Sequence, residues 1–387
     1  MVPFVDRIPM ADLGAQHAPL LRDLEAAPAR VLASNRFILG EEVAAFEREM
    51  TAALGIRHAV GVSSGTDALL ALLIAAGVGP GDDVVTTPYS FFATVEAIVR
   101  LGARPVFADL DPETLNIDPA LAAARINART RTVVVVHLFG RMAQRALLAV
   151  ACAAAGIPLI EDAAQAIGAW RADGDRRQPD GQVGAVSAVR KVGTVGAGAA
   201  LSFFPSKNLG GFGDGGMVVT DDEAIAKRIR LLRNHGAEGK LRHVAVGGNF
   251  RLDELQAALL RVKLPSLERW SVERRRIAAQ YRERLAHLPI RLPPWDEGCV
   301  WNQFVVGIPG DRRGALIEHL DRLGITSAVY YPIPLHLQPA LAGLGHRPGD
   351  FPIAEQAARE TLALPIYPEL GDERLARVAD AVTDFFR

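Results

Sequence analysis

The chain has 387 residues, 49% of them hydrophobic, and a formal net charge of −1. That length supports a large core in one big domain or two ordinary ones, and the charge balance speaks against a nucleic-acid binder, which needs a basic excess or stripe. Of the 43 basic residues 38 are Arg, so any lysine-dependent chemistry is a choice among Lys191, Lys207, Lys227, Lys240 and Lys263.

No basic start followed by a long apolar run marks residues 1–14 as a secretory signal. Glu41–Leu54 carries Val43, Phe46 and Met50 at helical spacing with charges between them, and reads as a helix. Ala59–Val62 is a short apolar strand that runs into SSGTDALLALLIAAG, a loop entering a helix. Val84–Thr87 reads as a strand, Phe92–Leu101 as a helix and Pro105–Ala108 as a strand. Thr132–His137 is β-branched and apolar on both faces, as buried parallel strands are. Cys152 sits in Ala-rich, helix-like sequence and reads as core. Together with Cys299 it is too little for a disulfide framework or a metal cluster, and no metal site is expected. Pro158–Ile160 is another strand. Arg176–Ala199, broken by glycine, reads as a loop or flexible hairpin. Gly213–Thr220 is a Gly-rich turn and strand. Asp253–Lys263 and Leu267–Leu285 are helices separated by Pro265; then come a strand at Gln303–Ile308, a helix at Arg312–Leu323 and a strand at Thr326–Tyr330.

The alternation predicts an α/β fold with a mainly parallel central sheet flanked by helices, followed by a smaller α+β domain. The division falls at 1–260 and 261–387, with the Gly-rich insertion inside the first. The best apolar runs fall short of the ~20 residues that span a bilayer. A soluble, cytoplasmic protein with no membrane partner is expected.

Ligands of parallel α/β sheets sit beyond the carboxyl ends of the strands. Ser63–Asp67 lies at one such end. Gly65 permits close approach, Thr66 brings a hydroxyl, and free amides open the following helix, which describes either a phosphate site or an ordinary N-cap. Asp162 follows the apolar strand and could hold a cationic ring nitrogen or cap what comes next. Lys207, in LSFFPSKNLGGFGDGG, follows an apolar strand and precedes a Gly-rich turn. Desolvation there lowers an amine's pKa and suits it to a Schiff base. The other four lysines read as solvated surface charges. Phosphate loop, ring-facing carboxylate and desolvated lysine together describe a pyridoxal 5′-phosphate site.

Ten segments then carry a resemblance. They are GEEVAAFE, AVGVSSGTDAL, GVGPGDDVVTTPYSFFAT, GARPVFADLDPETLNIDP, VVHLFG, IEDAAQAIGA, SFFPSKNLGGFGDGGMVVT, LRNHG, GGNFRLDELQAALLRVKL and YYPIPLHLQPA. In this order the chain resembles the DegT-type nucleotide-sugar aminotransferases, of the aspartate aminotransferase fold (fold type I). The resemblance implies that Lys207 binds the cofactor and shuttles the proton, Asp162 pairs with the pyridine nitrogen and Gln165 bonds the ring hydroxyl. It implies that Phe91 stacks on the ring and that Gly65, Thr66 and Ser202 bind the phosphate. Asn249 would reach the phosphate in the neighbouring subunit, which implies a homodimer with shared active sites. Arg251 would contact the nucleotide-sugar, and Tyr331 and His336 would line the sugar side. The implied reaction takes the amino group of L-glutamate, releases 2-oxoglutarate and aminates a keto-sugar for polysaccharide or antibiotic amino-sugar biosynthesis.

YYPIPLHLQPA is more similar to the branch acting on 3-keto sugars than to the 4-keto branch, although Tyr330 stands where many relatives carry His. Lys207 separates the chain from the family's dehydratases, which carry His there. A dehydratase or a non-catalytic, pyridoxal phosphate-binding regulator of the same fold is the alternative. The Asp162-to-Lys207 interval is longer than is usual in the family. The excess maps to Arg176–Ala199, whose Arg176, Arg177, Arg190 and Lys191 would suit a phosphate-bearing substrate if it forms a loop at the site mouth.

Overall fold

Val43, Phe46, Met50 and Leu54 recur at helical spacing, and in the computed structural model they are buried on one face of the helix Glu41–Leu54. The structure describes residues 7–173, 188–239 and 241–387. Two helices precede this one, α1 (Leu13–His17) and α2 (Leu21–Ser34), so Glu41–Leu54 is α3. Strands and helices then alternate: β1 (His58–Val62), α4 (Gly65–Ala75), β2 (Asp83–Thr86), α5 (Ala93–Arg100), β3 (Arg104–Phe107), α6 (Pro119–Ala124), β4 (Thr130–Val136), α7 (Arg145–Ala155) and β5 (Leu159–Asp162). The antiparallel pair β6 (Trp170–Asp173) and β7 (Ala188–Lys191) leads to β8 (Gly198–Ser202), β9 (Gly216–Thr220) and α8 (Glu223–Leu232).

Seven strands form the central sheet in the order β1-β9-β8-β5-β4-β2-β3. All run parallel except β9, which is antiparallel to both neighbours. From Thr132 to Val136 every residue of β4 is buried, because helices cover both faces of the sheet. On one side Val60, Val134 and Ile160 pack with Leu69, Leu72 and Ile98 of α4 and α5. On the other, Ala59, Leu201 and Val219 pack with Phe46 and Met50 of α3 and Ala257 and Leu260 of α9 (Glu254–Lys263). Of the expected insertion, residues 176–187, with Arg176 and Arg177, lie outside the described residues. Arg190 and Lys191 belong to the strand β7.

Between α8 and α9 two-residue strands β10 (Ala237–Glu238) and β11 (Arg242–His243) pair with each other. After α9 comes α10 (Leu267–Leu285). Its Leu267 and Trp270 join the core beside α3. Its Ile277, Tyr281 and Leu285 join a second core built on β12 (Phe304–Gly307), α11 (Arg313–Arg322), β13 (Thr361–Leu364) and α13 (Gly371–Phe386). The expected strand at Thr326–Tyr330 does not form. Ile325, just before that segment, bridges to Ile8, and Ala328 within it bridges to Ala363, before the chain bends into the prolines that follow.

The carboxyl-terminal elements meet the main sheet next to the strand ends. Asp109, just past β3, accepts hydrogen bonds from the amides of Ile353 and Ala354, both at 3.0 Å, and so caps α12 (Pro352–Glu360). The hydroxyl of Tyr89 lies 2.5 Å from the carbonyl of Tyr330 and accepts from the amide of Tyr331 at 2.8 Å. Among the described residues no helix is long and apolar enough to cross a membrane.

Candidate active site

The strands β1, β8 and β5 end on the same edge of the sheet, β8 beside β5 and β1 one strand away across β9, and the candidate residues collect there. Ser64 caps α4, its Oγ accepting from the amide of Asp67 at 3.0 Å. The Asp67 carboxylate in turn accepts from the hydroxyls of Ser63 and Ser64 at 2.6 and 3.0 Å. The amides of Gly65 and Thr66 open the helix, at the positive end of its dipole. A Cβ at Gly65 would lie 2.7 Å from the Cβ of Ser202 and 3.2 Å from its Oγ. Only glycine lets the end of β8 come this close, and the Ser202 hydroxyl thereby joins the helix amides in one anion-binding cradle. Ser64 supplies the cap, which leaves the amides of Gly65 and Thr66 and the Ser202 hydroxyl as the candidate anion donors.

Asp162 ends β5 opposite Ala200 of β8, two residues before Ser202. Its carboxylate is buried and accepts from Thr94 Oγ1 at 2.8 Å and from the Ala164 amide at 3.2 Å. Burial pushes its pKa up, against the pull of Thr94, Ala164 and Lys207. Lys207 lies in the loop after β8, half-buried as a residue, with its amide on the carbonyl of Phe204 at 2.8 Å. Loss of water around its amine brings the pKa down from 10.5 to about 8, with the Asp162 charge working the other way. An amine in that range supplies a neutral, nucleophilic fraction near neutral pH.

Gln165 is oriented by two neighbours. Its Oε1 accepts from the Phe139 amide at 2.7 Å, so its Nε2 is the end that donates to the Tyr331 hydroxyl at 3.1 Å. Burial raises the pKa of Tyr331 and keeps the phenol protonated. Because Tyr331 accepts from Gln165, its own hydroxyl proton remains available for a ligand. Phe91 is 60% exposed, with its ring 6.4 Å from that of Tyr331. It is therefore an exposed ring near Tyr331 and not a core side chain.

The structure thus groups Gly65, Thr66, Ser202, Asp162, Lys207, Gln165, Tyr331 and Phe91. Three further sequence candidates are engaged elsewhere. Asn249 is exposed, its backbone bridged to Asn234. Arg251 donates to Asn234 Oδ1 at 3.0 Å. The His336 side chain is enclosed: its Nε2 is 3.2 Å from Glu355 Oε1 and its ring packs edge-on against Phe351 at 4.7 Å. It supports the turn after Tyr331 from behind.

Sequence reading missed Thr94, a hydroxyl in an apolar helix that reaches Asp162, and His137, a buried imidazole beside the Glu161 carboxylate. His137 Nδ1 accepts from the Ala143 amide at 3.2 Å, so Nε2 carries the proton toward Glu161 Oε2 at 2.6 Å. Among the lysines, Lys227 is an exposed helix partner of Glu223, and Lys240 lies outside the described residues. Lys263 is a correction: expected at the surface, it is fully buried.

The donor set fits pyridoxal 5′-phosphate. The Gly65–Ser202 cradle matches the phosphate, the buried carboxylate of Asp162 a pyridinium, and Lys207 an aldehyde. Comparison with known proteins agrees. The chain matches the model of the DegT/DnrJ/EryC1/StrS aminotransferase family over residues 22–383. It is 42% identical over 385 residues to a pleiotropic regulatory protein of Geobacillus stearothermophilus, covering 98% of this chain and 99% of that one. It is 42% identical over 382 residues to the dTDP-3-amino-3,4,6-trideoxy-alpha-D-glucose transaminase of Streptomyces venezuelae, covering 98% and 96%. The crystal structure of S. venezuelae DesV in complex with a ketimine intermediate superposes with a TM-score of 0.91 at 42% identity, covering 98% of this chain and 99% of that one. The chain belongs to the DegT/DnrJ/EryC1/StrS aminotransferase family, whose aminotransferases depend on pyridoxal 5′-phosphate.

Proposed function

We propose that the protein transfers the amino group of L-glutamate to a nucleotide-linked 3-keto sugar, as a cytoplasmic homodimer. The observation that carries this reading is a lysine with a lowered pKa beside a buried carboxylate, next to an anion cradle. The bound cofactor supplies an aldehyde that joins amines covalently and a ring that delocalises the electron pair freed at the substrate carbon. Asp162 would pair with the pyridine nitrogen and favour its protonated form. Gly65, Thr66 and Ser202 bind the phosphate, Gln165 orients the ring hydroxyl and Phe91 covers the ring face. Lys207 would hold the cofactor through its amine, and the same Nζ would carry the proton between the donor and acceptor carbons. Tyr331 donates its hydroxyl to the sugar. Arg251 turns from Asn234 to the diphosphate, whose paired oxygens suit a guanidinium fork. The 3-position is supported by the Streptomyces relative, whose name places the amine at carbon 3.

Pairing is supported by apolar side chains exposed on and beside the Lys207 loop and on the 241–246 segment: Phe204, Phe212, Leu241, Val244 and Val246. In the dimer Asn249 reaches the partner's cofactor phosphate. The regulator reading is favoured by the name of the Geobacillus relative.

Absorbance separates the two. The cofactor joined to Lys207 gives a visible band that Lys207→Ala abolishes. L-Glutamate moves that band into the near ultraviolet and releases 2-oxoglutarate, and a 3-keto nucleotide-sugar restores it. A band unmoved by any amino donor would overturn catalysis, and one moved by another donor alone would overturn glutamate.

A further inference from the structure

Among the described residues, Lys263 is a fully buried charged side chain that the proposed reaction does not use. It lies at the end of α9. Its Nζ donates to the carbonyl of Gly210 and stands 3.1 Å from His17 Nε2. The rings of Phe212 and Trp270 complete the cage, their centroids 5.5 and 5.9 Å from Nζ. His17, from α1, stacks on Phe212 with centroids 4.6 Å apart.

Gly210 and Phe212 belong to the same loop as Lys207, and that loop is tightly folded. A Cβ at Gly210 would lie 2.1 Å from the carbonyl oxygen of Pro205, so the chain doubles back on itself around Lys207. The Gly211 amide donates to the Phe203 carbonyl at 2.7 Å. A second side chain of α9, Gln256, accepts from the Phe212 amide at 2.9 Å. A buried ammonium satisfied by one loop carbonyl and one imidazole nitrogen fixes both, since losing either leaves a charge without its acceptor.

We infer that Lys263 is a positioning residue for Lys207: its ammonium, shared between the Gly210 carbonyl and His17, clamps the loop Pro205–Phe212 to α9 and to the amino-terminal helix. The inference rests on Lys207 being the residue that binds the cofactor. Loop order in the cofactor-free protein is measured without that premise, so the two can fail separately.

The test is Lys263→Met, which keeps length and apolar bulk and removes the donor. In the cofactor-free protein, amide hydrogen exchange of residues 205–213 should rise about fivefold while the central strands keep their protection. In the loaded enzyme kcat should fall about tenfold through misplacement of the Lys207 amine, with KM for L-glutamate held within about twofold. His17→Phe keeps the stack on Phe212 and removes one acceptor, so it should move exchange and kcat the same way by about threefold. It decides the matter should Lys263→Met not fold. Exchange at 205–213 and kcat both at wild-type values in a folded variant would overturn the inference. So would a rise in exchange spread evenly over the whole chain. Raised loop exchange in a protein whose Lys207 binds no cofactor would leave the clamp standing and remove the proposed function.

Discussion

Burial raises the pKa of the Asp162 carboxyl, and small donors work against it. The Thr94 hydroxyl reaches one carboxylate oxygen at 2.8 Å and the Ala164 amide the other at 3.2 Å. Thr94→Val keeps the shape of the buried side chain and removes the first donor. A hydrogen bond to a charged group contributes about 1.5 kcal/mol or more, which corresponds to about one pH unit. Thr94 favours the ionised carboxyl, so its loss raises the pKa and lets protonation set in at higher pH. The acid limb of kcat/KM should therefore move up by about one unit, with the alkaline limb in place. A profile superimposed on wild type would show that Thr94 does not tune Asp162. This scale is also where the sequence was least complete. Lys207, Asp162 and Gly65 stand in segments whose composition advertises chemistry. Thr94 and Lys263 stand in helices, and only the fold reveals that one faces a carboxylate and the other a loop carbonyl.

Among the elements, α3 shows why boundaries and causes are separate problems. The spacing of Val43, Phe46 and Met50 gives the helix its range, and the structure agrees from Glu41 to Leu54. What starts it lies elsewhere in the chain. Its N-cap, Gly40, has no side chain to offer. The buried carboxylate of Glu254, at the start of α9, instead accepts from the amides of Gly40, Glu42 and Val43 at 2.7, 2.9 and 3.0 Å. Glu254→Ala would leave these amides without an acceptor. It should destabilise the protein by about 3 kcal/mol, read as a melting temperature about 4 °C lower. Glu254→Gln keeps one acceptor oxygen and should lose about a third of that. Equal melting temperatures for the two variants would assign the effect to charge and not to capping. The buried strands were legible for a local reason, since an apolar β-branched run such as residues 132–136 has no other stable setting. The segment 326–330 has similar composition, but its pairing depends on single residues of distant segments, Ile8 and Ala363, and it forms bridges only. Pro28 sits inside α2 and masks a helix whose Leu24, Ala27 and Val31 pack on α9.

At the scale of the whole molecule, the site as proposed has parts from two chains. Asn249 is exposed in its own subunit, while Lys207 and Asp162 lie at the ends of the sheet. A twofold dimer in which Asn249 crosses to the partner's phosphate makes a quantitative demand. Lys207→Ala removes the amine from a subunit's own site. Asn249→Asp places a negative charge against the phosphate of the other site. Each variant alone gives two defective sites per dimer. When the two are unfolded together, refolded with pyridoxal phosphate and allowed to pair at random, half of the dimers are hybrids. In a hybrid the subunit carrying Asn249→Asp keeps its Lys207 and receives wild-type Asn249 from its partner, so one of its two sites is intact. Activity should return to about a quarter of that of wild type refolded in the same way. If Asn249 served its own chain, every site in the hybrid would carry one defect and nothing would return. The recovered fraction therefore measures where the residue acts, independently of which sugar the enzyme aminates.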